Sequence, residues 1–199
     1  MKKKKKPVFI LGYGGHAKVL FNMLLRLKME CLGFVGKTKI IKKKFMEFNI
    51  ISEEELLNEF PASNYDLVNG VGALPGLKDR WKLSEKMKKS EYYFPPIIDP
   101  SVIFNGSCKF LEGVQIFPGT IVQPDVKIGK HTIINTGNIL DHDVQIGNSC
   151  HLAPNVICNG GVTICNNVFI GTSSTIIQNI KIGDGKIIKA KSLITKNQI

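Results

Sequence analysis

The 199-residue chain lacks the features that mark several common classes of protein. Arginine is nearly absent: 25 of the 27 basic residues are lysine, scattered or in plain runs such as Lys2 to Lys6. Aromatic residues make up 8% of the chain and tryptophan occurs once. Nucleic-acid recognition draws on concentrated basic patches and stacking rings, so no nucleic-acid partner is expected despite a formal charge of +11. Long uncharged apolar runs are also missing. Arg26 and Lys28 interrupt the longest candidate, FNMLLRLKM, so no segment reaches the ~20 apolar residues of a membrane span. After the basic start only Val8 to Leu11 precede Gly12, too few for a signal-peptide core, and the protein is expected in the cytoplasm. The five cysteines form no CxxC pair, and an odd number argues against a disulfide framework. They read as small buried apolar residues. No HxxxH or Cys/His spacing supports a metal site, so no metal is expected.

What is present divides the chain in two. Residues 1–97 carry 19 Lys and Arg against 10 Asp and Glu, and residues 98–199 carry 8 against 6. A basic first half suits an anionic ligand such as a phosphorylated small molecule. That half alternates short apolar runs with helical patterns. PVFIL (7–11) ends at a glycine cluster, and AKVLFNMLLRLK (17–28) then places Val19, Leu20, Met23, Leu24 and Leu27 on one helix face. CLGFV (31–35) reads as a strand, SEEELLNEF (52–60) as a helix opened by a serine cap, and YDLVNGVG (65–72) as a strand. GLKDRWKLSEKMKKS (76–90) is a further helix and YYFPPII a fourth extended piece. Strands alternating with helices predict a small parallel α/β sheet, Rossmann-like in plan. The loop GYGGHA follows a strand and opens a helix, where backbone N–H groups can cradle phosphate. It also fits GxGxxG/A, but Gly36 and Lys37 stand where a dinucleotide site carries an acidic residue.

From residue 98 the periodicity changes. Every sixth residue from Ile98 through Phe104, Phe110 and Ile116 to Ile194 is apolar, seventeen in succession, with no insertion. Four residues after most of them stands a small or β-branched side chain, for example Val114, Thr120, Val126 and Thr132. A six-residue repeat of this kind is the hexapeptide signature of a parallel β-helix, with three hexapeptides per coil of about 18 residues. The aliphatic residue points into the prism, and stacked coils bury one another.

Within that pattern LDHDVQIGNSCHLAPN (140–155) holds two of the four histidines, and Asp141 and Asp143 flank His142. His142 is third in its hexapeptide, away from the inward positions. Imidazole suits proton transfer at neutral pH, and an adjacent carboxylate fixes its tautomer and stabilises the imidazolium. A solvated corner histidine is the structural alternative. His131 has no assigned role, and Asp141 reads as a plain corner residue.

The N-terminal ILGYGGHAKV, the bridging FPPIIDPS and the unbroken hexapeptides together resemble the bacterial sugar O- and N-acyltransferases of surface-polysaccharide synthesis, over nearly the whole chain. These include sialic acid O-acetyltransferases and UDP-4-amino-sugar N-acetyltransferases. The resemblance implies an N-terminal Rossmann-like nucleotide-sugar-binding domain (1–97) and a left-handed β-helix acyltransferase domain (98–199). It also implies a homotrimer with sites between prisms and acetyl-CoA as co-substrate. By the same resemblance His142 is the general base and Asp143 its partner, His151 and Asn135 lie at the acetyl-CoA thioester, and a Gly160 N–H faces the thioester oxygen. Gly14, Gly15 and His16 hold the diphosphate. The activity so implied is acetylation of an amino group on a nucleotide-linked 4-amino-deoxy sugar. O-acetylation of a sialic-type sugar and a catalytically inactive β-helix scaffold stand as the alternatives. Gly36 and Lys37 depart from the acidic residues of UDP-sugar-binding members, which favours another nucleotide or a nucleotide-free sugar. The chain stops at LITKNQI, where relatives continue through a Gly-Asn-Pro-Ala type segment, and Lys189 replaces a small residue. A CoA site that is incomplete or completed differently is expected.

Overall fold

Short apolar runs bounded by glycine become strands, and the amphipathic segments between them become helices that cover both sides of the sheet. The computed structural model describes residues 6–37, 44–73, 75–76, 79–104 and 106–199. They fall into two compact units, the first ending at Pro95 and the second running from Pro96 to Ile199.

The first unit is a five-stranded sheet. Its strands are β1 (Val8–Leu11), β2 (Cys31–Gly36), β3 (Lys44–Phe45), β4 (Phe48–Ser52) and β5 (Asp66–Asn69), in the order β3-β4-β2-β1-β5. All neighbours are parallel except β3 and β4, which pair antiparallel. Three helices connect them: α1 (Gly15–Arg26), α2 (Glu53–Glu59) and α3 (Asp79–Lys89). Ser52 caps α2 as its sequence predicts, its hydroxyl accepting from the Glu55 N–H at 3.0 Å. Phe9 and Leu11 of β1 pack with Leu56 of α2 and Met87 of α3, while α1 buries Ala17, Leu20, Met23 and Leu24.

Two expectations are corrected. The fourth strand of the sheet is β4, which follows a two-residue hairpin that periodicity cannot detect. The segment YYFPPII is extended, and its Tyr93 C=O meets the sheet's ladder, accepting from Leu67 N–H at 2.9 Å. Its end, β6 (Ile97–Ile98), pairs instead with Gln115–Ile116 in the second unit, because two prolines remove the donors a sheet strand needs.

The second unit is a left-handed parallel β-helix of two-residue strands stacked eighteen residues apart. Its first face carries six strands, from Ile97–Ile98 through Ile133–Ile134 and His151–Leu152 to Ile187–Ile188. The second face runs from Ile121–Val122 to Leu193–Ile194, and the third from Lys109–Phe110 to Lys181–Ile182, five strands each. The inward positions from Ile116 to Ile188 are all buried. Phe104, in the first coil, is 47% exposed, covered from one side by Phe110. The second inward position fills the prism with small residues such as Val114, Thr132, Val144 and Val162.

Between coils the hydrogen bonds repeat. Asp141 N–H donates to Cys158 C=O at 2.9 Å, and Gly161 N–H donates back to His142 C=O at 3.0 Å. Every sixth residue from Gly113 to Lys191 has a positive φ near 60–70°. This left-handed conformation turns each corner, and glycine, asparagine and aspartate hold most of these places because they tolerate it best. Among the cysteines only Cys150 and Cys158 are buried, whereas Cys31, Cys108 and Cys165 are half-buried, which corrects the uniform expectation. Burial pushes the Cys150 and Cys158 thiols up to about 12 and Cys31 to about 11, so none of the three is a thiolate at neutral pH.

Ile170, fully buried at an inward position, tests the stacking. Ile170→Ala is expected to lower stability by about 2–5 kcal/mol, read as a reduced midpoint in urea unfolding.

Candidate functional site

His142 stands in the corner between strand Ile139–Leu140 of the second face and strand Gln145–Ile146 of the third. Its Nδ1 lies 2.9 Å from Oδ2 of Asp143. Adjacent side chains on extended backbone point apart. Asp143 occupies one of the left-handed corners, with φ 61°, and the turn brings its carboxylate back to the neighbouring ring. With Asp143 ionised, the hydrogen bond places the proton on Nδ1 and leaves the Nε2 lone pair free. The Asp143 hydrogen bond, followed by the charge of Asp141, raises the His142 pKa above the ordinary histidine value. The two side chains are 62% and 64% exposed, so solvent screens the pair and it adds little to stability.

Asp141 does more than turn the corner. Its Oδ1 accepts the His142 N–H at 2.8 Å. The same device recurs six residues earlier, where Asn135 Oδ1 accepts the Thr136 N–H at 2.8 Å. That recurrence one hexapeptide apart was the signal available in the sequence.

The orientation of the His142 ring follows from the residues one coil away. Along the edge between the third and first faces, side chains cap the backbone of the preceding coil. Asn148 Oδ1 accepts Lys130 N–H at 2.7 Å, Asn166 accepts Asn148 N–H at 2.8 Å, and Asp184 accepts Asn166 N–H at 2.6 Å. On the edge that carries His142 the equivalent residues are Pro124, His142, Gly160 and Gln178. Pro124 has no N–H to cap, so His142 is not drawn into such a ladder. The ring lies over Gly160 instead: a Cβ built there would stand 2.6 Å from Nε2 and 2.7 Å from Cε1. Glycine at 160 is what leaves room for the imidazole. The Gly160 N–H is capped by no side chain among the described residues.

Asn135 and His151 form a second group. Asn135 Nδ2 lies 3.4 Å from His151 Nε2, and Phe169 meets the His151 ring edge-on at 5.1 Å between centroids. Asn135 follows strand Ile133–Ile134 and His151 begins the next strand of that same first face. The structure therefore brings together His142, Asp143 and Gly160 on one edge, and Asn135 with His151 on the opposite face. His131 is buried, with its ring where a side chain on Gly113 would otherwise project; its place is structural.

In the first unit Gly14, Gly15 and His16 open α1. Gly14 is the N-cap without a side-chain cap, and around the Cβ positions of Gly14 and Gly15 the space is open. Gly12 takes the positive φ of 85° that turns the chain out of β1. Among the described residues no group of three His, Cys, Asp or Glu could hold a metal, and no helix is long and apolar enough to cross a membrane.

Residues 7–87 match the PglD N-terminal domain. GDP-perosamine N-acetyltransferase of Escherichia coli is 28% identical over 183 residues, covering 86% of this chain and 78% of that protein. A Caulobacter crescentus crystal structure, PerB in complex with CoA and GDP-perosamine, superposes with a TM-score of 0.86 at 26% identity, covering 96% of this chain and 90% of that one. Over most of its length the chain is thus similar to sugar N-acetyltransferases. The acetyltransferase domain of PglB from Neisseria gonorrhoeae, in complex with acetyl coenzyme A, has the same fold, with a TM-score of 0.88 at 21% identity, covering 98% of this chain and 93% of that one. The bifunctional protein GlmU of Desulfitobacterium hafniense is 30% identical over 112 residues. The chain spans 25% of the length of that protein.

Gly160→Ala tests the packing of the edge. The added methyl group displaces the exposed His142 ring rather than the backbone, so the melting temperature is expected to hold within about 3 °C. The NMR titration of His142 is expected to shift towards that of an unpartnered histidine as the ring leaves Asp143.

Proposed function

We propose that this protein is an acetyl-CoA-dependent N-acetyltransferase acting on a nucleotide-linked 4-amino-deoxy sugar. The observation that carries the reading is the exposed His142 ring, held by Asp143 on Nδ1 and laid over Gly160 with Nε2 free. The acceptor amine attacks the thioester carbonyl as Nε2 takes its proton, and Asp143 stabilises the resulting imidazolium. The uncapped Gly160 N–H donates to the oxyanion of the tetrahedral intermediate. Collapse breaks the carbon–sulfur bond, and the imidazolium returns the proton to the departing thiolate, leaving amide, CoA and the neutral base. No metal is needed, because a thioester is already activated.

Gly14, Gly15 and His16 hold the diphosphate of the acceptor, and residues 1–97 form the nucleotide-sugar domain ahead of the acyltransferase domain of 98–199. The relatives whose names give GDP-perosamine as the sugar favour a GDP-linked over a UDP-linked acceptor, in keeping with Gly36 and Lys37. They also favour amino over hydroxyl acceptors. Asn135 and His151 bind near the thioester. Because they lie on a different face of the prism from His142, the site is completed in a homotrimer, where the His142 edge of one protomer meets the Asn135–His151 pair of its partner. The cytoplasm, where free thiols persist, suits the five cysteines without a disulfide.

Release of CoA thiol is the assay, with GDP-perosamine, UDP-4-amino sugars and sialic acids as acceptors. Turnover is expected with the GDP-linked amino sugar and is expected to fall by about 10² or more in His142→Ala. Silence with every acceptor sinks the reading in favour of a scaffold. Because Asp143 raises the His142 pKa, the base is freed at higher pH than in an ordinary histidine, so the rate rises with pH through that raised value. Asp143→Asn keeps a residue that tolerates the left-handed corner but loses the charge, and its acid limb is expected at lower pH. In mixed trimers, His142→Ala and His151→Ala subunits are expected to regain turnover that neither variant shows alone.

A further inference from the structure

One buried charge has no place in the mechanism so far. Arg80, on α3, is 6% exposed. Its Nη1 donates to Asn69 C=O at 2.7 Å and to Val71 C=O at 2.6 Å, just beyond β5. Nε and Nη2 have no hydrogen-bond acceptor. Burial alone pulls the guanidinium down, to about 9, with no carboxylate acting on it; it remains charged at neutral pH. Withdrawing such a cation from water is costly without a counter-ion, and among the described residues no salt bridge reaches it.

Its position gives that charge a use. In the order β3-β4-β2-β1-β5 the chain leaves β1 for β2 on one side and reaches β5 on the other. The crevice beyond the carboxyl ends of β1 and β5 is therefore the topological switch point, where α/β sheets bind their ligands. The two loops that line it are in contact. A Cβ on Gly12 would lie 3.2 Å from Val71 Cγ2, and one on Gly72 would lie 3.8 Å from His16 Cβ. On one wall the uncapped start of α1 presents the positive end of its dipole. Behind the other wall Arg80 grips the Asn69 and Val71 carbonyls. Asn69 extends the grip, its Nδ2 donating to Arg80 C=O at 2.9 Å and to the Ser84 hydroxyl at 2.8 Å, while its Oδ1 accepts Val71 N–H at 3.0 Å.

We propose that Arg80 is a positioning residue of the acceptor site: its charge, held behind Asn69 and Val71, favours the diphosphate in the crevice, and its grip on their carbonyls fixes the wall against which the diphosphate rests. The inference rests on the nucleotide-sugar reading above. A charge seated in low dielectric acts over several ångströms without touching the ligand and is screened little by salt.

The test is calorimetric binding of GDP, inorganic pyrophosphate and guanosine to the full chain, for the wild type, Arg80→Lys and Arg80→Met. Thermal melts run alongside. Arg80→Met is expected to weaken GDP and pyrophosphate by about tenfold or more, equivalent to ~1.4 kcal/mol, and to leave guanosine unchanged. Arg80→Lys, which keeps the charge, is expected to recover part of the loss and to serve as the folded comparison if the methionine variant melts early. Equal losses for guanosine and GDP, or no loss for GDP in either variant, overturn the proposal. So does a wild type that binds neither GDP nor pyrophosphate. Arg80-dependent GDP binding in a protein that transfers no acetyl group leaves this inference standing while the activity reading falls.

Discussion

Burial of one aliphatic side chain per hexapeptide is the constraint on which the second unit depends. A two-residue strand has no stability of its own. It persists because the inward residue of each coil, from Ile116 to Ile188, is closed off by the coils above and below, and because backbone hydrogen bonds between coils leave few groups unpaired. The left-handed corner residues make that closure possible, each turning the chain through the angle between faces. All specificity is thereby displaced to the outward positions, which the core leaves free to vary.

The site uses that freedom. His142, Asp143 and Gly160 are corner residues, and none contributes an aliphatic side chain to the prism. The corner conformation supplies for Asp143 what a tertiary contact supplies in other dyads: a carboxylate beside the imidazole with no other element involved. Where the edge between the third and first faces spends its outward side chains on capping backbone N–H groups, this edge has proline, histidine, glycine and glutamine. The proposed chemistry sits where that ladder is absent.

How much of this could be read in the sequence depends on how often each feature repeats. Seventeen inward positions at a fixed interval made the β-helix legible at once, and the serine cap of α2 was equally plain. The β3–β4 hairpin was not, since two residues per strand carry no periodicity. Prolines 95 and 96 look like part of an extended run, yet they end the first unit's sheet contacts and start the second unit. For the site, His142, Asp143 and Gly160 came from resemblance combined with position in the hexapeptide, and the structure brings the three together. The burial of His131 was hidden, because side-chain packing across coils is set by the residue eighteen positions away, whereas the support of Asp141 had its signal one hexapeptide earlier, at Asn135. Arg80 was hidden for the opposite reason: a single arginine in an amphipathic helix looks like a solvated one.

Eighteen residues per coil also govern how such a chain can change its length. Losing one hexapeptide between His142 and Gly160 would leave every inward position apolar and every corner turned, so the protein would still wind and fold. Each later residue, however, would arrive at the neighbouring edge, and the glycine that makes room for the imidazole would face another direction. Only the loss or gain of a whole coil, about 4.8 Å of travel along the axis, keeps edges in line. Folding and function in this architecture therefore count in different units, six residues for the one and eighteen for the other.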